Sequence, residues 1–422
     1  MALTQIYENL PPYLKKWVKK IILPLFKWGI VKPLESWHIF NIKEKRKRKP
    51  FLLVDISILH KVNSGTGIQR VVQQVLENLK TLNLTHQVRP CYFKWLWSNG
   101  LYDCQTHQAI HIQQGDIFLG LDLSTMQVYR NHLWLKKIRQ MNVPLYFVFY
   151  DIFPLTHAHY VDNGIVDSFQ KWFFKTLPII DGIISISQTT ENEIKNYLKN
   201  LNPSQYNPNT QFNFIHLGAD FQKNKKNNNL NNSFKNQPNF IPQFLAVSTV
   251  EPRKRYDLIL NAFNLLWKKN LNIHLHIVGK PGWKNKEIIH QIETHPLLNQ
   301  KLFWHKTHIS DAALQQRYLE CDAAIFASDT EGFGLAIVEA AFYHKPLILR
   351  DIPVFHEVSQ EQAFFFQGTS YADFASDLEK WLSLYEQGKI QSPSLQIYTW
   401  QDCAIEIAQI LNVLPHNQAE HS

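Results

Sequence analysis

The stretch that decides the fold reads Ser328-Asp329-Thr330-Glu331-Gly332-Phe333-Gly334-Leu335-Ala336-Ile337-Val338-Glu339. It follows an apolar run, residues 322–327, that is typical of a buried parallel strand, and residues 337–343 have the pattern of a helix. The predicted order is therefore strand, glycine-containing turn and helix. Glycines let the backbone approach a ligand closely, and the amides at the start of the helix point outward, so this loop suits a phosphate group.

The same stretch carries two carboxylates. If the helix begins near Leu335, Glu331 lies on the loop before it and Glu339 lies about one turn inside it. Both can then face one cleft, at either end of a polyol ligand, where each accepts hydrogen bonds from hydroxyl groups. The spacing alone also fits an ordinary strand-to-helix turn with two solvated glutamates.

Three separate blocks carry a resemblance to a known family. Glu331 and Glu339, with seven residues between them and Gly-Phe-Gly after the first, resemble the paired-glutamate signature of the family 4 retaining glycosyltransferases. Residues 250–255 (Val-Glu-Pro-Arg-Lys-Arg) and 216–220 (His-Leu-Gly-Ala-Asp) resemble two further blocks of that family, in the same order. The likeness covers residues 51 to 412. It implies the GT-B fold, an α/β architecture in which two Rossmann-like, doubly wound domains face a central cleft.

The length and composition agree with two domains. A chain of 422 residues, 45% of them hydrophobic, can bury two sizeable cores. We predict a basic amphipathic segment at 1–50, a first domain at 51–221, an Asn- and Lys-rich linker at 222–240 and a second domain at 241–395. The resemblance implies that a final helix, within 396–414, crosses back onto the first domain, and a tail at 415–422 follows.

The positive charge is concentrated at the amino terminus. Residues 1–50 hold 12 Lys and Arg against 3 Asp and Glu, whereas the remainder holds 32 of each sign. From Pro11 to Val31, apolar residues that include tryptophans recur at helical spacing, with lysines on the other face, which suits an anionic membrane surface. A solvated charge run, a helix docked on its own protein and a nucleic-acid contact are the alternatives. We expect no nucleic-acid partner, because nothing else in the chain resembles a base-reading module.

The expected location is the cytoplasm, at the inner face of the membrane. No run of eighteen uncharged apolar residues occurs, and the start lacks the layout of a signal peptide. The four cysteines are scattered without paired spacing, which favours a reducing compartment and gives no metal site. We therefore expect peripheral attachment, through residues 1–50, and no metal or other cofactor.

The resemblance assigns residues to the donor, a nucleotide-diphosphate sugar. Arg253 and Lys254 precede a helix and fall on the Arg-Lys pair that grips the diphosphate, where cations neutralise the phosphates, although a basic loop in solvent has the same composition. Glu331 would hold hydroxyls of the transferred sugar, and Glu339 would hold the ribose. The remaining donor-binding positions that the family pattern implies are Gly67, Gly279, His308, Ile309, Gly332, Phe333, Gly334 and Leu335.

The sequence departs from the family pattern at several positions, which include Lys306, where relatives often have glycine, and Ala336, where they usually have proline. Ser248 and Thr249 stand where some relatives have a further arginine, so that phosphate contact is missing or replaced. His344 stands where the helix after the glycine turn usually ends on a glycine.

The acceptor side is predicted from one carboxylate. Asp151 follows the apolar strand 145–150, and Pro154 stops regular structure just after it, so the Asp151 side chain can point into the cleft. In the resemblance this position lies close to the reacting sugar. His157 and Ser187 are further acceptor-side candidates, although a lone histidine in a loop is more often structural or solvated.

The reaction that the resemblance implies is metal-independent transfer of a hexose, with retention, to a lipid-linked or polysaccharide acceptor. The Thr-Gly-Ile-Gln-Arg block at 66–70 favours GDP-mannose as donor, with UDP-sugars and dTDP-rhamnose next. A glycoside phosphorylase, a sugar-nucleotide hydrolase or epimerase on the same scaffold, and a non-catalytic sugar-nucleotide-binding protein are the alternatives. Arg253, Lys254, Glu331 and Glu339 occur together, which disfavours the non-catalytic alternative.

Overall fold

The computed structural model describes residues 48–62, 65–94, 100–219, 240–307 and 310–415. Residues 1–47 of the predicted amphipathic segment, all but one residue of the predicted linker, and the tail beyond residue 415 lie outside these ranges, as do His308 and Ile309. Within these ranges, no helix has both the length and the apolar character needed to cross a membrane.

The first half of the chain forms a mostly parallel seven-stranded sheet, in the order β3-β2-β1-β4-β5-β6-β7. Only β3 runs antiparallel to its neighbour. The strands are β1 Phe51–Asp55, β2 Gln87–Phe93, β3 Leu101–Asp103, β4 Ile117–Gly120, β5 Leu145–Phe149, β6 Gly182–Ser185 and β7 Gln211–Phe214. The helices around it are α1 Ser57–Lys61, α2 Gly67–Thr81, α3 Thr125–Arg130, α4 His132–Gln140, α5 Phe153–Thr156, α6 Asn163–Thr176 and α7 Gln188–Lys199. Every residue of β4, β5 and β6 is buried, as expected for strands covered on both faces.

The second half forms a six-stranded parallel sheet, in the order β10-β9-β8-β11-β12-β13. Its strands are β8 Gln243–Val247, β9 His274–Val278, β10 Leu302–His305, β11 Ala323–Phe326, β12 Leu347–Arg350 and β13 Phe364–Phe366. The helices are α8 Tyr256–Lys268, α9 Lys286–Glu293, α10 Asp311–Glu320, α11 Leu335–Phe342, α12 Pro353–Ser359, α13 Tyr371–Glu386 and α14 Trp400–Ile410. The prediction of two doubly wound α/β units is therefore confirmed.

Each sheet has a point where its strand order reverses. In the first sheet β1 pairs with both β2 and β4, and in the second sheet β8 pairs with both β9 and β11. Ligands of such sheets bind beyond the carboxyl ends of the strands at this point. The loops found there are the one before Gly67 and the one after β11. These loops approach each other, because a Cβ added to Gly67 would lie 3.9 Å from Leu335 Cδ1.

The final helix, α14, belongs structurally to the first sheet. It packs against α2, and the Thr85 amide donates to the Val413 carbonyl at 2.7 Å. The chain segment before it is also anchored there, since the Ala219 amide donates to the Tyr398 carbonyl at 3.1 Å. The chain thus leaves the first domain near Ala219 and returns to it near Tyr398.

Two residues of the predicted basic segment are part of the first domain. Arg48 forms an ion pair with the buried Asp116, at 2.7 Å, and Lys49 Nζ donates to the Leu84 carbonyl at 2.7 Å. The positive charges of these two residues are therefore bound by the protein itself, and the folded first domain begins at or before Arg48.

Candidate active site

Arg253, Lys254 and Glu331 come together between the two strand ends β8 and β11. Arg253 and Lys254 lie in a short 3-10 turn before α8, and Glu331 lies in the loop after β11. Arg253 Nη1 donates to Glu331 Oε2 at 2.8 Å, and Lys254 Nζ donates to Glu331 Oε1. The three side chains are only 11–13% exposed. The residues that the sequence assigns to the diphosphate and the transferred sugar thus form one compact cluster.

The charges in this cluster stabilise one another. Burial would raise the pKa of Glu331, but Arg253 and Lys254 hold that pKa at about 2. Burial and the neighbouring Arg253 lower the pKa of Lys254, and Glu331 opposes this effect. Glu331 is therefore ionised at neutral pH. Two cations in a site with little water can neutralise negative charge that develops on a leaving group.

The glycine turn is pressed against the first domain. A Cβ added to Gly332 would lie 1.8 Å from the Tyr150 carbonyl oxygen, so only glycine fits there. The Gly332 carbonyl accepts hydrogen bonds from Ser187 Oγ, at 2.7 Å, and from Thr190 Oγ1, at 3.0 Å. Gly334 has a φ of +98°, in the left-handed region, and caps the start of α11. The turn that opens toward the cleft is thus fixed by both domains.

Ser187 does not line an open cleft. Its side chain is fully buried, and its hydroxyl is engaged by Gly332 and by the first turn of α7. The family resemblance made Ser187 an acceptor-side candidate. The structure instead gives it a contact between the two domains.

Asp151 lies next to the cluster, at the carboxyl end of β5. Burial raises its pKa to about 7, while Arg253 lowers the pKa and Glu331 raises it. The neighbouring Phe153 ring packs under the same arginine, with the guanidinium carbon 4.7 Å from the ring centre. The structure therefore brings the predicted acceptor-side carboxylate and the predicted donor-side charges into one electrostatic environment.

The segment around His157 is hydrogen-bonded to the second domain through a nearby residue, Tyr160. The Tyr160 hydroxyl donates to Asp329, and Trp283 Nε1 donates to the Tyr160 carbonyl at 2.9 Å. His157 itself contacts Thr156 Oγ1 through Nδ1, at 2.9 Å, and burial lowers the His157 pKa. His157 thus lies beside the cleft in a segment whose position depends on the second domain.

Asp329 was not predicted as a functional residue, although it lies in the deciding stretch. It accepts from Arg255 Nη1 at 3.2 Å, and Arg350 Nη1 is 3.4 Å away. The sequence signal was present, since Asp329 is two residues before Glu331 and Arg255 directly follows Lys254. This pairing joins the basic turn to the glycine turn.

An unpredicted contact between the domains is made by Glu357 of α12. Its carboxylate accepts from the backbone amides of Gln188 and Thr189, both at 2.8 Å, at the start of α7. It also bonds His216 Nε2 at 2.8 Å. A carboxylate at a helix amino terminus is stabilised by the exposed amides and the helix dipole. His216 comes from a quoted sequence block, but nothing in that block indicated its partner.

Glu339 and Gly279 have less direct access to the cluster. Glu339 is buried in α11, where its two oxygens accept from Arg70 and Tyr318. Gly279 packs on the end of β8, since an added Cβ would lie 1.8 Å from the Ser248 carbonyl oxygen. His308 and Ile309 lie outside the described residues. Within the described part of the chain, no group of three or more His, Cys, Asp or Glu could hold a metal ion.

The comparisons with known proteins agree with this geometry. Residues 227–392 match the family described as Glycosyl transferases group 1. The chain is also 34% identical to the serotype-specific mannosyltransferase WbdA of Escherichia coli, over 84% of this chain and 45% of the relative. These matches confirm the resemblance to the glycosyltransferases. A weaker relative is the O-antigen chain mannosyltransferase RfbU of Salmonella typhimurium, 24% identical over 51% of this chain and 54% of the relative.

The chain spans about half the length of the curated relatives that it matches. Solved structures show its fold to be GT-B. HepE of Anabaena, solved in complex with UDP and glucose, has a TM-score of 0.56 at 13% identity and covers 86% of this chain and 99% of its own. The sucrose-phosphate synthase of Thermosynechococcus elongatus has a TM-score of 0.56 at 14% identity, with 86% and 98% covered.

Proposed function

We propose that this protein is a retaining mannosyltransferase that uses GDP-mannose to extend a lipid-linked or polysaccharide glycan. The observation that carries the proposal is the cluster of Arg253, Lys254 and Glu331 beside Asp151, at the carboxyl ends of both sheets. The choice of mannose is supported by the names of the relatives, WbdA and RfbU, which are both mannosyltransferases. The Thr-Gly-Ile-Gln-Arg block at 66–70 favours the same donor.

In this proposal the basic turn binds the donor diphosphate. Arg253 offers a planar fork and Lys254 a compact charge, and the amides at the start of α11 add further donors. Glu331 holds hydroxyls of the mannose and keeps both cations in place. Because Arg253 and Lys254 supply two positive charges, the leaving diphosphate can be neutralised without a divalent ion.

The reaction breaks the bond between mannose C1 and the diphosphate oxygen, whose electron pair leaves with GDP. The acceptor hydroxyl oxygen forms the new bond to C1 on the same face, and its proton passes to the departing phosphate oxygen. Asp151 accepts a hydrogen bond from the acceptor and orients it. We assign no side chain as a covalent nucleophile. Retention follows because the acceptor enters on the side from which the diphosphate departs.

The first test is ligand binding followed by transfer. A ligand that binds only the folded state stabilises it by mass action and so raises the melting temperature. At a ligand concentration about a hundred times the Kd, the free energy of unfolding rises by about 2.7 kcal/mol. We expect GDP and GDP-mannose to shift the melting temperature, and UDP, UDP-glucose and dTDP to shift it less. Transfer of radiolabelled mannose to bacterial lipid extracts, with NMR assignment of the new anomeric centre, then tests the reaction and its stereochemistry.

Lys254→Ala tests the site in the transfer assay. Lys269→Ala, which changes an exposed lysine outside the cleft, is the matched control. The first variant should lose transfer and the second should keep it. A folded protein that responds to none of the nucleotides contradicts the proposal. A product with inverted configuration contradicts the same-face mechanism.

We also propose that residues 1–50 hold the enzyme at the inner face of the membrane, where a lipid-linked acceptor is found. The support is the lysine-rich amphipathic pattern from Pro11 to Val31. Flotation with vesicles of phosphatidylglycerol and phosphatidylcholine measures this binding directly. The full chain should float with the anionic vesicles, whereas a chain that begins at Arg48 should stay in the soluble fraction. Equal flotation of both proteins would place the membrane contact elsewhere.

A further inference from the structure

An ion pair between the two domains lies at the start of the two helices that face the cleft. Arg70 is one turn inside α2, and Glu339 is one turn inside α11. Arg70 Nη1 lies 2.5 Å from Glu339 Oε1, with side-chain exposures of 28% for Arg70 and 6% for Glu339. The contact joins residues from different domains, so it forms only where the two domains lie against each other.

Glu339 is held by a second hydrogen bond. The Tyr318 hydroxyl, from α10, donates to Glu339 Oε2 at 2.9 Å. Tyr318 is fully buried and belongs to the second domain. One oxygen of the Glu339 carboxylate is therefore fixed from within its own domain, and the other is fixed from the opposite domain. Its orientation depends on both.

The position of Arg70 is itself well determined. α2 begins at Gly67 with a capping box, in which the Thr66 and Gln69 side chains each accept from the other residue's backbone amide. Gly67 lies against Leu335, the first residue of α11. The first turns of the two helices are thus in contact, and Arg70 reaches Glu339 from a helix whose start is fixed.

We infer that Arg70 is a positioning residue for ribose binding: it orients Glu339 so that this carboxylate accepts hydrogen bonds from the ribose hydroxyls when the domains close. The inference rests on the proposed function and on the role that the family resemblance implies for Glu339, which is to bind the ribose of the donor. A carboxylate has about four acceptor sites, so Glu339 can keep Arg70 and Tyr318 and still accept from two hydroxyls. Ribose recognition thereby depends on the first domain.

The electrostatics of Glu339 agree with this role. Burial raises the pKa of Glu339, and Arg70 lowers it. An ionised carboxylate accepts hydrogen bonds only, which suits hydroxyl donors, whereas a protonated one would compete as a donor. Removing Arg70 leaves Glu339 buried without its cation, so the carboxylate should bind ribose less well, most of all at acidic pH.

A purely structural ion pair would behave differently. If Arg70 only held the domains together, its loss would weaken every nucleotide equally, with or without ribose hydroxyls. If Arg70 contacted the diphosphate, its loss would also weaken both kinds of nucleotide. Only a role that acts through Glu339 makes the effect of Arg70 depend on the ribose hydroxyls.

The test compares the effect of each substitution on the Kd of a nucleotide with its effect on the Kd of the same nucleotide without ribose hydroxyls. Isothermal titration calorimetry measures the Kd values. The proteins are the full chain and its Arg70→Ala, Arg70→Lys and Glu339→Gln variants, and circular dichroism checks that each is folded. The ligands are GDP and UDP, each compared with its 2′,3′-dideoxy form. One of the two ribonucleotides is expected to bind. Arg70→Ala should raise the Kd of that ribonucleotide by a factor of about ten, and the Kd of its dideoxy form by a factor of less than about two. Arg70→Lys, which keeps the charge, should restore most of the ribose preference.

Glu357→Gln is the matched control, because it removes a different contact between the domains, at the start of α7. It should change the Kd values of ribonucleotide and dideoxynucleotide by the same factor. Equal weakening of both ligands by Arg70→Ala overturns the inference. The inference is also overturned if Glu339→Gln abolishes the preference for the ribonucleotide over its dideoxy form while Arg70→Ala leaves that preference unchanged. In that case the proposed function still holds. If the unchanged protein binds neither GDP nor UDP, both proposals fail.

Discussion

Replacing Glu331 by glutamine keeps the size of the side chain and removes the charge that pairs with Arg253 and Lys254. Glutamine cannot compensate two buried cations, so we expect the folded protein to lose stability as well as activity. The loss can be estimated from Glu331 itself, because its side chain is only 11% exposed and screening by solvent is limited. The difference between the ordinary pKa of 4.5 and the folded value of about 2 corresponds to about 3 kcal/mol.

The pH dependence of this loss has a definite sign. The folded pKa of Glu331 lies below its unfolded value, so the stabilisation is fully present above pH 4.5 and is lost as the pH falls through 2. The difference in the free energy of unfolding between the two proteins should therefore be about 3 kcal/mol at pH 7 and about 1 kcal/mol at pH 3. The variant, which has no carboxylate at this position, should show less dependence on pH in this range.

Urea-induced unfolding, followed by tryptophan fluorescence, measures both free energies. The control is Glu293→Gln, which breaks the exposed pair with Lys306, 3.0 Å apart. Exposed pairs contribute about 0–1 kcal/mol, so this control should change little. A loss for Glu331→Gln no larger than that of the control, or one that stays constant from pH 7 to pH 3, would refute the assignment of Glu331 as the counter-charge of the basic turn.

Four further outcomes are expected. Lys254→Ala should lower turnover at least about a hundredfold and keep the circular dichroism spectrum, since it removes one of two charges at the leaving group; normal turnover would remove the diphosphate assignment. The kcat/KM for the acceptor, measured against pH, should fall below about pH 7 in the wild type, because Asp151 becomes protonated there. In Asp151→Asn this fall on the acidic side should disappear. Gly332→Ala should abolish activity and enlarge the radius of gyration in X-ray scattering, because its Cβ would collide with the Tyr150 carbonyl at 1.8 Å; unchanged scattering would argue against the clash. His344→Gly should raise the melting temperature by about 2 °C, because His344 has a φ of +53° that costs about 1 kcal/mol; a lower melting temperature would show that its side chain stabilises the fold.

Local pattern was enough to predict the deciding stretch. The apolar run before it forms β11, and the helix after the glycines is α11, which begins at Leu335 as expected. Residues close in sequence determine both elements, so the hydrophobic periodicity of this segment is enough to predict the strand and the helix. The cation pair of the basic turn was also found, but through the resemblance to a family and not from composition.

The chain beyond β7 shows where an apolar pattern misleads. Residues 212–217 have the apolar pattern of a strand, yet β7 ends at Phe214. Ile215 and Leu217 are buried because they pack in the core that also contains Trp400, not because they extend the strand. Apolarity indicates burial, and it cannot distinguish burial in a sheet from burial under a helix.

The contacts between the domains could not be predicted from local sequence. Arg70 and Glu339 are 269 positions apart, and Ser187 and Gly332 are 145 apart. Each of these pairs depends on how the two sheets are placed against each other, which no local periodicity describes. The sequence therefore offered candidate groups in each domain, and the structure shows which of them meet.

The return of the chain at Tyr398 limits how this enzyme can open. The last described residues of the first domain meet the returning chain at one point, where the Ala219 amide donates to the Tyr398 carbonyl and where a Cβ on Gly218 would lie 2.3 Å from the Trp400 nitrogen. If the second domain rotates about this point, residues close to it are displaced less than residues far from it. Substrates would accordingly enter and leave along the edge farthest from Ala219, and residues beside the pivot would move least during a catalytic cycle.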